Sequence, residues 1–172
     1  RLPGRLLREV PDIAYWKGAP VGELLRAEYF EEMLGDSWDP DGGRDLLFAV
    51  CANPRFRGMR IAGYRTAFDD ATEEQFAAAT FLLPDGSSIA FRGTDSTLVG
   101  WKEDFNMAFQ SPVPSQVSAQ EYLEEAAAAL DGPLYVGGHS KGGNLAVYAA
   151  IMCPHAQQDR IVRAFSHDGP GF

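Results

Sequence analysis

The stretch "PLYVGGHSKGGNLAVYAA", residues 133–150, changes character at its centre. Leu134, Tyr135 and Val136 form a short apolar run of β type, and the residues from Asn144 to Ala150 read as helix. Between them the chain passes through four glycines, His139, Ser140 and Lys141. The spacing Gly138-x-Ser140-x-Gly142 between a strand and a helix predicts a nucleophile elbow, with the serine on a strained strand-to-helix turn. Glycines two residues before and two after it let the flanking backbones approach where a Cβ would clash. The turn also puts Ser140 at a helix N-terminus, where backbone N–H groups favour developing negative charge. Ser140 is therefore the candidate nucleophile, and the Lys141 N–H is a candidate oxyanion donor. A plain glycine-rich turn is the competing reading. Phosphate loops want G-x-x-x-x-G-K-[ST] and dinucleotide folds G-x-G-x-x-G, and "GGHSKGG" supplies neither.

Outward from the elbow, "RIVRAFS" (160–166) reads as a strand and "HDGPGF" (167–172) as a closing turn. Upstream, "SAQEYLEEAAAAL" (118–130) reads as a helix, with Ser118 as N-cap and Glu121 three residues on in a capping-box arrangement. "ATFLLPDGSSIAFRGTD" (79–95) has two apolar runs about a Pro-Asp-Gly turn, a hairpin signal. "GMRIAGYRTAF" (58–68) alternates as a strand does. The order from residue 80 is strand, strand, helix, strand, helix, strand, which predicts an α/β domain: a sheet with a parallel part and helices on its faces.

The first 45 residues read as a helical approach. In "VGELLRAEYFEEML" (21–34), Leu24, Leu25, Tyr29 and Met33 fall near one face, and Gly35 is the expected stop. "DPDGGRD" (39–45) reads as a turn-rich linker, and "DLLFAVCAN" (45–53) as a helix ending near Pro54. Residues 1–172 are taken as one domain.

Composition narrows the partners. With 24 acidic and 15 basic residues, the net charge of -9 argues against nucleic acid or an anionic membrane surface. No apolar run approaches the roughly 18 residues that span a bilayer. Arg1, Arg5 and Arg8 are not followed by a signal-peptide core. Cys51 and Cys153 lack metal spacing and read as buried thiols of a reducing compartment, so a cytoplasmic location is expected. Neither a metal nor an organic cofactor is expected.

"GGHSKGGNLAVYAA" together with "IAFRGTDSTLVGWKEDFNM" (89–107) resembles the class 3 lipase branch of the α/β-hydrolases. It resembles more closely the bacterial Mbeg1-like hydrolase family, in which a lysine follows the serine and an Asp-Gly-Pro-Gly turn comes later. Those residues are Lys141 and Asp168-Gly169-Pro170-Gly171 here, and the resemblance covers about residues 80–172. It implies an α/β-hydrolase-like mixed sheet flanked by helices, lacking its C-terminal part. It also implies hydrolysis of carboxylic esters, lipid or other acyl esters among them, as small-molecule substrates.

In such lipases the strand before the helical region ends in Arg-Gly-Ser/Thr, and that hydroxyl residue completes the oxyanion hole. Arg92-Gly93-Thr94 match, so Thr94 would offer its N–H and its hydroxyl; the competing reading makes Thr94 an ordinary turn cap. Arg92 and Asp95 are expected to hold this loop by charge-assisted bonds. In Trp101-Lys102-Glu103-Asp104, Trp101 is expected to pack with its N–H satisfied, and Asp104 to fix backbone near the site. Residues 107–119 form the connection over the site, a lid in lipases or a plain crossover.

A serine hydroxyl needs a base, and an acid to orient that base. His139 is expected to be a buried structural residue and His155 a solvated loop residue. The resemblance places the triad acid and histidine after the final turn, beyond Phe172. Two alternatives stand beside this: Asp168 as acid or His167 as base in a shortened site, and a non-catalytic binding module that keeps the elbow as scaffold.

Overall fold

The computed structural model describes residues 13–35, 37, 39–95 and 97–171. Arg1, Arg5, Arg8 and Phe172 lie outside them. The Pro84-Asp85 turn sets the centre of the sheet. It joins strands β3 (Glu74–Leu83) and β4 (Gly86–Phe91) as an antiparallel hairpin in which Leu83 pairs with Gly86. β2 (Arg60–Asp69) pairs antiparallel with β3 and carries a bulge between Ala62 and Arg65; a two-residue β1 (Ala19–Pro20) pairs with β2. β5 (Leu134–His139) and β6 (Ile161–His167) add parallel to β4. Spatial order equals chain order, β1-β2-β3-β4-β5-β6. The switch from antiparallel to parallel falls where connections become helical, because a parallel partner needs a long crossover. This is the mixed α/β sheet that the alternation predicted, and its antiparallel half reaches back to Ala19.

Helices α1 (Ile13–Lys17), α2 (Ala27–Leu34), α3 (Pro40–Ala52), α4 (Leu98–Asn106), α5 (Pro114–Ala129), α6 (Lys141–Met152) and α7 (His155–Gln158) complete the described chain. None is long and apolar enough to cross a membrane.

Three helix boundaries differ from expectation. Residues 39–45 are not a linker: Asp39 accepts from the Gly42 N–H at 2.9 Å and Pro40 occupies the first helical position, so "DPDGG" opens α3. Residues 118–130 are not a helix capped by Ser118. α5 starts at Pro114, the Gln116 side chain reaches back to the Val113 N–H at 3.0 Å, and Ser118 Oγ donates to Glu74 Oε1. The expected helix over 21–34 is broken: a 3₁₀ turn, Val21–Leu24, precedes α2, with extended Arg26 between them. Gly35 does end α2.

Side-chain alternation assigns the two sheet faces. Phe76 and Ala78 of β3, with Ile89 and Phe91 of β4 and Leu134 and Val136 of β5, pack against α5 and α6 through Tyr122, Leu123, Leu145 and Ala149, all buried. Phe76, Phe91 and Tyr122 form a ring cluster with centroids 6.1–6.4 Å apart. Each such pair adds about 0.5–1.5 kcal/mol beyond its area. The opposite face, through Ile61, Ala79 and Phe81, meets Val21, Leu24, Met33, Leu47 and Val50 of the N-terminal helices.

Tyr122 is fully buried, and its hydroxyl is satisfied by Thr80 Oγ1 at 2.8 Å. Burial pushes this phenol far above its ordinary pKa. Tyr122→Phe would leave Thr80 without its buried partner. It should lower stability by about 1–3 kcal/mol in urea unfolding, although the ring remains in place.

Candidate active site

The elbow is built as the glycine spacing requires. Ser140 holds φ 54° and ψ -129°, a conformation that L-residues rarely adopt, between the end of β5 and the start of α6. Its N–H donates to His167 O at 2.9 Å, and its carbonyl accepts from the Gly143 N–H at 2.8 Å. A Cβ on Gly138 would sit 2.3 Å from Gly142 C, and one on Gly142 would sit 2.2 Å from Phe91 O. β4, β5 and α6 therefore meet backbone to backbone at this point. Gly93 lies equally close: its Cβ would be 2.7 Å from His139 O and 3.5 Å from Ser140 Cβ. The Arg92-Gly93-Thr94 strand exit thus runs beside the candidate nucleophile.

The Thr94 hydroxyl donates to Asp104 Oδ2, which leaves the N–H as the group that the expected oxyanion role would use. Arg92 Nη2 pairs with Asp95 Oδ2 at 3.1 Å, and Asp95 Oδ1 accepts from the Thr97 N–H at 3.0 Å, which closes the loop before α4.

Lys141 carries more than its N–H. Its side chain is fully buried, and Nζ donates to Glu103 Oε2 at 2.8 Å, Gln75 O at 2.6 Å and Gln75 Oε1 at 2.9 Å. Glu103 is equally buried; it also accepts from the Gln75 N–H at 3.0 Å and the Ser115 N–H at 2.9 Å. One ion pair thereby joins the first residues of α6, α5 and β3 to the second turn of α4. An isolated charge at either end would be costly, and here both are paired and hydrogen-bonded.

A second chain of bonds holds the closing turn. Gln116 Nε2 donates to Asn144 Oδ1 at 2.8 Å, and Asn144 Nδ2 donates to Pro170 O and Gly171 O, both at 3.2 Å. The Asp168-Gly169-Pro170-Gly171 turn therefore docks on the first turns of α6.

The histidines fall differently from the reading of the sequence. His139 is exposed, not buried, because Tyr135, Gly137 and His139 point to the sheet face away from α6. Their register partners Arg163, Phe165 and His167 share that face, and the Phe165 and His167 rings stack at 6.1 Å. His155 is exposed as expected, but it opens α7, with Nδ1 2.9 Å from Gln158 Oε1. His167 and Asp168 are exposed one strand over from the elbow, and Asp168 has φ 53°. Among the described residues, no hydrogen bond joins Ser140 Oγ to either.

Trp101 was expected to pack and is instead 57% exposed, because α4 turns Val99, Gly100 and Glu103 inward and Trp101 outward. Cys153 is buried and Cys51 half-buried; both are free thiols, raised in pKa by burial. Glu103, Gln75, Gln116 and Asn144 were not assigned roles from sequence. Glu103 lies on the inward stripe of α4, but 38 residues separate it from Lys141 and no local pattern in the sequence pairs the two.

Against known proteins, a family model described as Mbeg1-like matches residues 50–172, the greater part of the chain. No curated protein and no solved structure matches it.

Two outcomes follow from the site's electrostatics. Glu103→Gln removes the counter-charge of a fully buried lysine and one acceptor of a backbone N–H. It should cost about 3–5 kcal/mol, read by chemical denaturation. Asp104 is half-buried, and burial raises its carboxyl pKa against the opposing effects of the Thr94 hydroxyl and Lys141. Its stabilising contribution is therefore full below the ordinary aspartate value and is lost as pH rises through the raised one. Asp104→Asn keeps an acceptor for Thr94 and does not titrate. Its stability relative to the parent should increase from acid to neutral pH, as urea titrations at both would show.

Proposed function

We propose, on the premise that this chain belongs to the Mbeg1-like family, that it is a serine hydrolase of carboxylic esters related to the class 3 lipases. The observation that carries this reading is Ser140 itself: a serine at φ 54°, held between β5 and α6 at a backbone contact with the end of β4. Strain at a non-glycine residue persists only where the surroundings enforce it, and such residues cluster at functional sites.

In the proposed reaction Ser140 Oγ attacks the ester carbonyl carbon and gives its proton to a base. The tetrahedral oxyanion takes hydrogen bonds from the N–H groups of Lys141 and Thr94. Collapse expels the alcohol, which takes the proton back, and leaves an acyl-Ser140 ester. Water then adds to that carbonyl, losing a proton to the same base, and releases the acid with Ser140 restored. His167 is the candidate base and Asp168 the candidate acid within the described residues. The buried Lys141–Glu103 pair positions the oxyanion donor without touching substrate.

A second reading is favoured by one observation: His139 and His167 are both exposed, and among the described residues neither imidazole bonds to Ser140 Oγ. It makes the fold a binding module that retains the elbow as scaffold.

Treatment with a fluorophosphonate, followed by intact-mass analysis, separates the two. The ester-hydrolase reading predicts a single adduct that is absent from Ser140→Ala and forms at least tenfold more slowly in His167→Ala, general-base catalysis contributing about 10²–10⁴-fold. An adduct count unchanged by Ser140→Ala would overturn the assignment, and no adduct on the parent chain would favour the binding module.

A further inference from the structure

The two faces of β3 and β4 carry very different volumes. Toward α5 the strands present Phe76, Thr80, Ile89 and Phe91, and the core closes over them. Toward the N-terminal helices they present Ala77, Ala79, Ser88 and Ala90, with the larger Phe81 and Leu83 at one end. Small side chains on the floor leave room that the roof does not fill. A cavity of about 750 Å³ lies there, roofed by Met33, Leu46, Leu47 and Val50 of α2 and α3, and its exposed wall is almost wholly apolar.

The cavity has a direction. Ser88, Ala90 and Arg92 succeed one another on the same face of β4, so at about 3.3 Å per residue the floor runs about 13 Å along the strand. Leu83 and Phe81 line one end; the other reaches Phe91 and Arg92. That second end is the backbone on which the elbow is packed, since Gly138 and Gly142 touch Phe91 O and Gly93 adjoins Ser140. The volume is that of a small-molecule site, which spans about 300–1,000 Å³. A sugar or nucleotide would bury polar groups against alanine and leucine with nothing to pair them. A ligand with an apolar tail and one polar end fits: tail on the alanine floor, polar end at Arg92.

We propose that this trough holds the acyl chain of the substrate, laid along β4 beneath α2 and α3 with its carbonyl end toward Ser140. The assignment rests on the ester-hydrolase reading for what happens to the chain, but binding itself needs no turnover. The substrate class is then esters of medium- to long-chain fatty acids, with short-chain esters leaving most of the floor empty.

The test uses Ser140→Ala, which cannot turn over, and 11-(dansylamino)undecanoic acid as probe. Saturable blue-shifted fluorescence, displaced by palmitate and not by butyrate, is expected. Ala90→Trp fills the floor and Leu46→Trp fills the roof from an exposed helix position, where folding is least disturbed. Each, in the Ser140→Ala background and with unchanged circular dichroism, should weaken the probe about tenfold or more, the loss expected when about two methylenes are kept out of apolar contact. Absence of saturable binding, or binding unchanged in whichever filled variants fold, would overturn the site. Fluorophosphonate labelling of the parent at Ser140 without probe binding would defeat the trough and leave the nucleophile standing. Probe binding abolished by filling, with no labelling, would keep the trough and defeat the esterase.

Discussion

The arrangement of the elbow depends on a buried pair of opposite charges. Lys141 is the first residue of α6, and its ammonium group passes inward to Glu103 and Gln75. Helix α4, the start of α5, the first residues of β3 and the turn that carries Ser140 all end on these two side chains. A buried ion pair is seldom a net source of stability against an apolar substitute, because desolvation consumes most of the attraction. Its value here is geometric. Four elements are brought to one register at this edge, and any other register would strand a charge away from water.

Around that pair the turn is made of backbone. Side chains are absent at Gly93, Gly138 and Gly142 because main-chain atoms of β4, β5 and α6 occupy the space they would need. Ser140 is the residue in the middle with a side chain and a positive φ, so its strain is imposed from three directions. The closing turn adds a fourth constraint through Asn144 and the His167 carbonyl. The motif Asp-Gly-Pro-Gly thus has a mechanical part in the architecture, independent of any proton transfer.

Most of the sheet was legible in the sequence because strand period, turn residues and glycine spacing are local signals. The Pro84-Asp85 hairpin and the β5–α6 elbow required nothing beyond their own residues. What was not legible depended on partners far along the chain. Asp39 and Pro40 read as turn formers until a helix follows them, and Gln116 caps α5 from a position where Ser118 looked the better cap. His139 read as buried because it adjoins Ser140 in the elbow with its side chain directed away from the serine's, but a strand end buries only the face that a helix covers. Glu103 and Lys141 lie 38 residues apart, and no local pattern says that they meet.

The unequal faces of β3 and β4 have a consequence for how such a protein diverges. The sheet is held by main-chain pairing and by the large residues on the α5 side, so the alanines and serine on the other side contribute little to cohesion. Their size is a nearly free variable. Single-nucleotide changes such as alanine to valine would make the recess shallower by two carbons at a time, with the elbow left in place. Related proteins could in this way differ in the depth of the recess while keeping the same sheet.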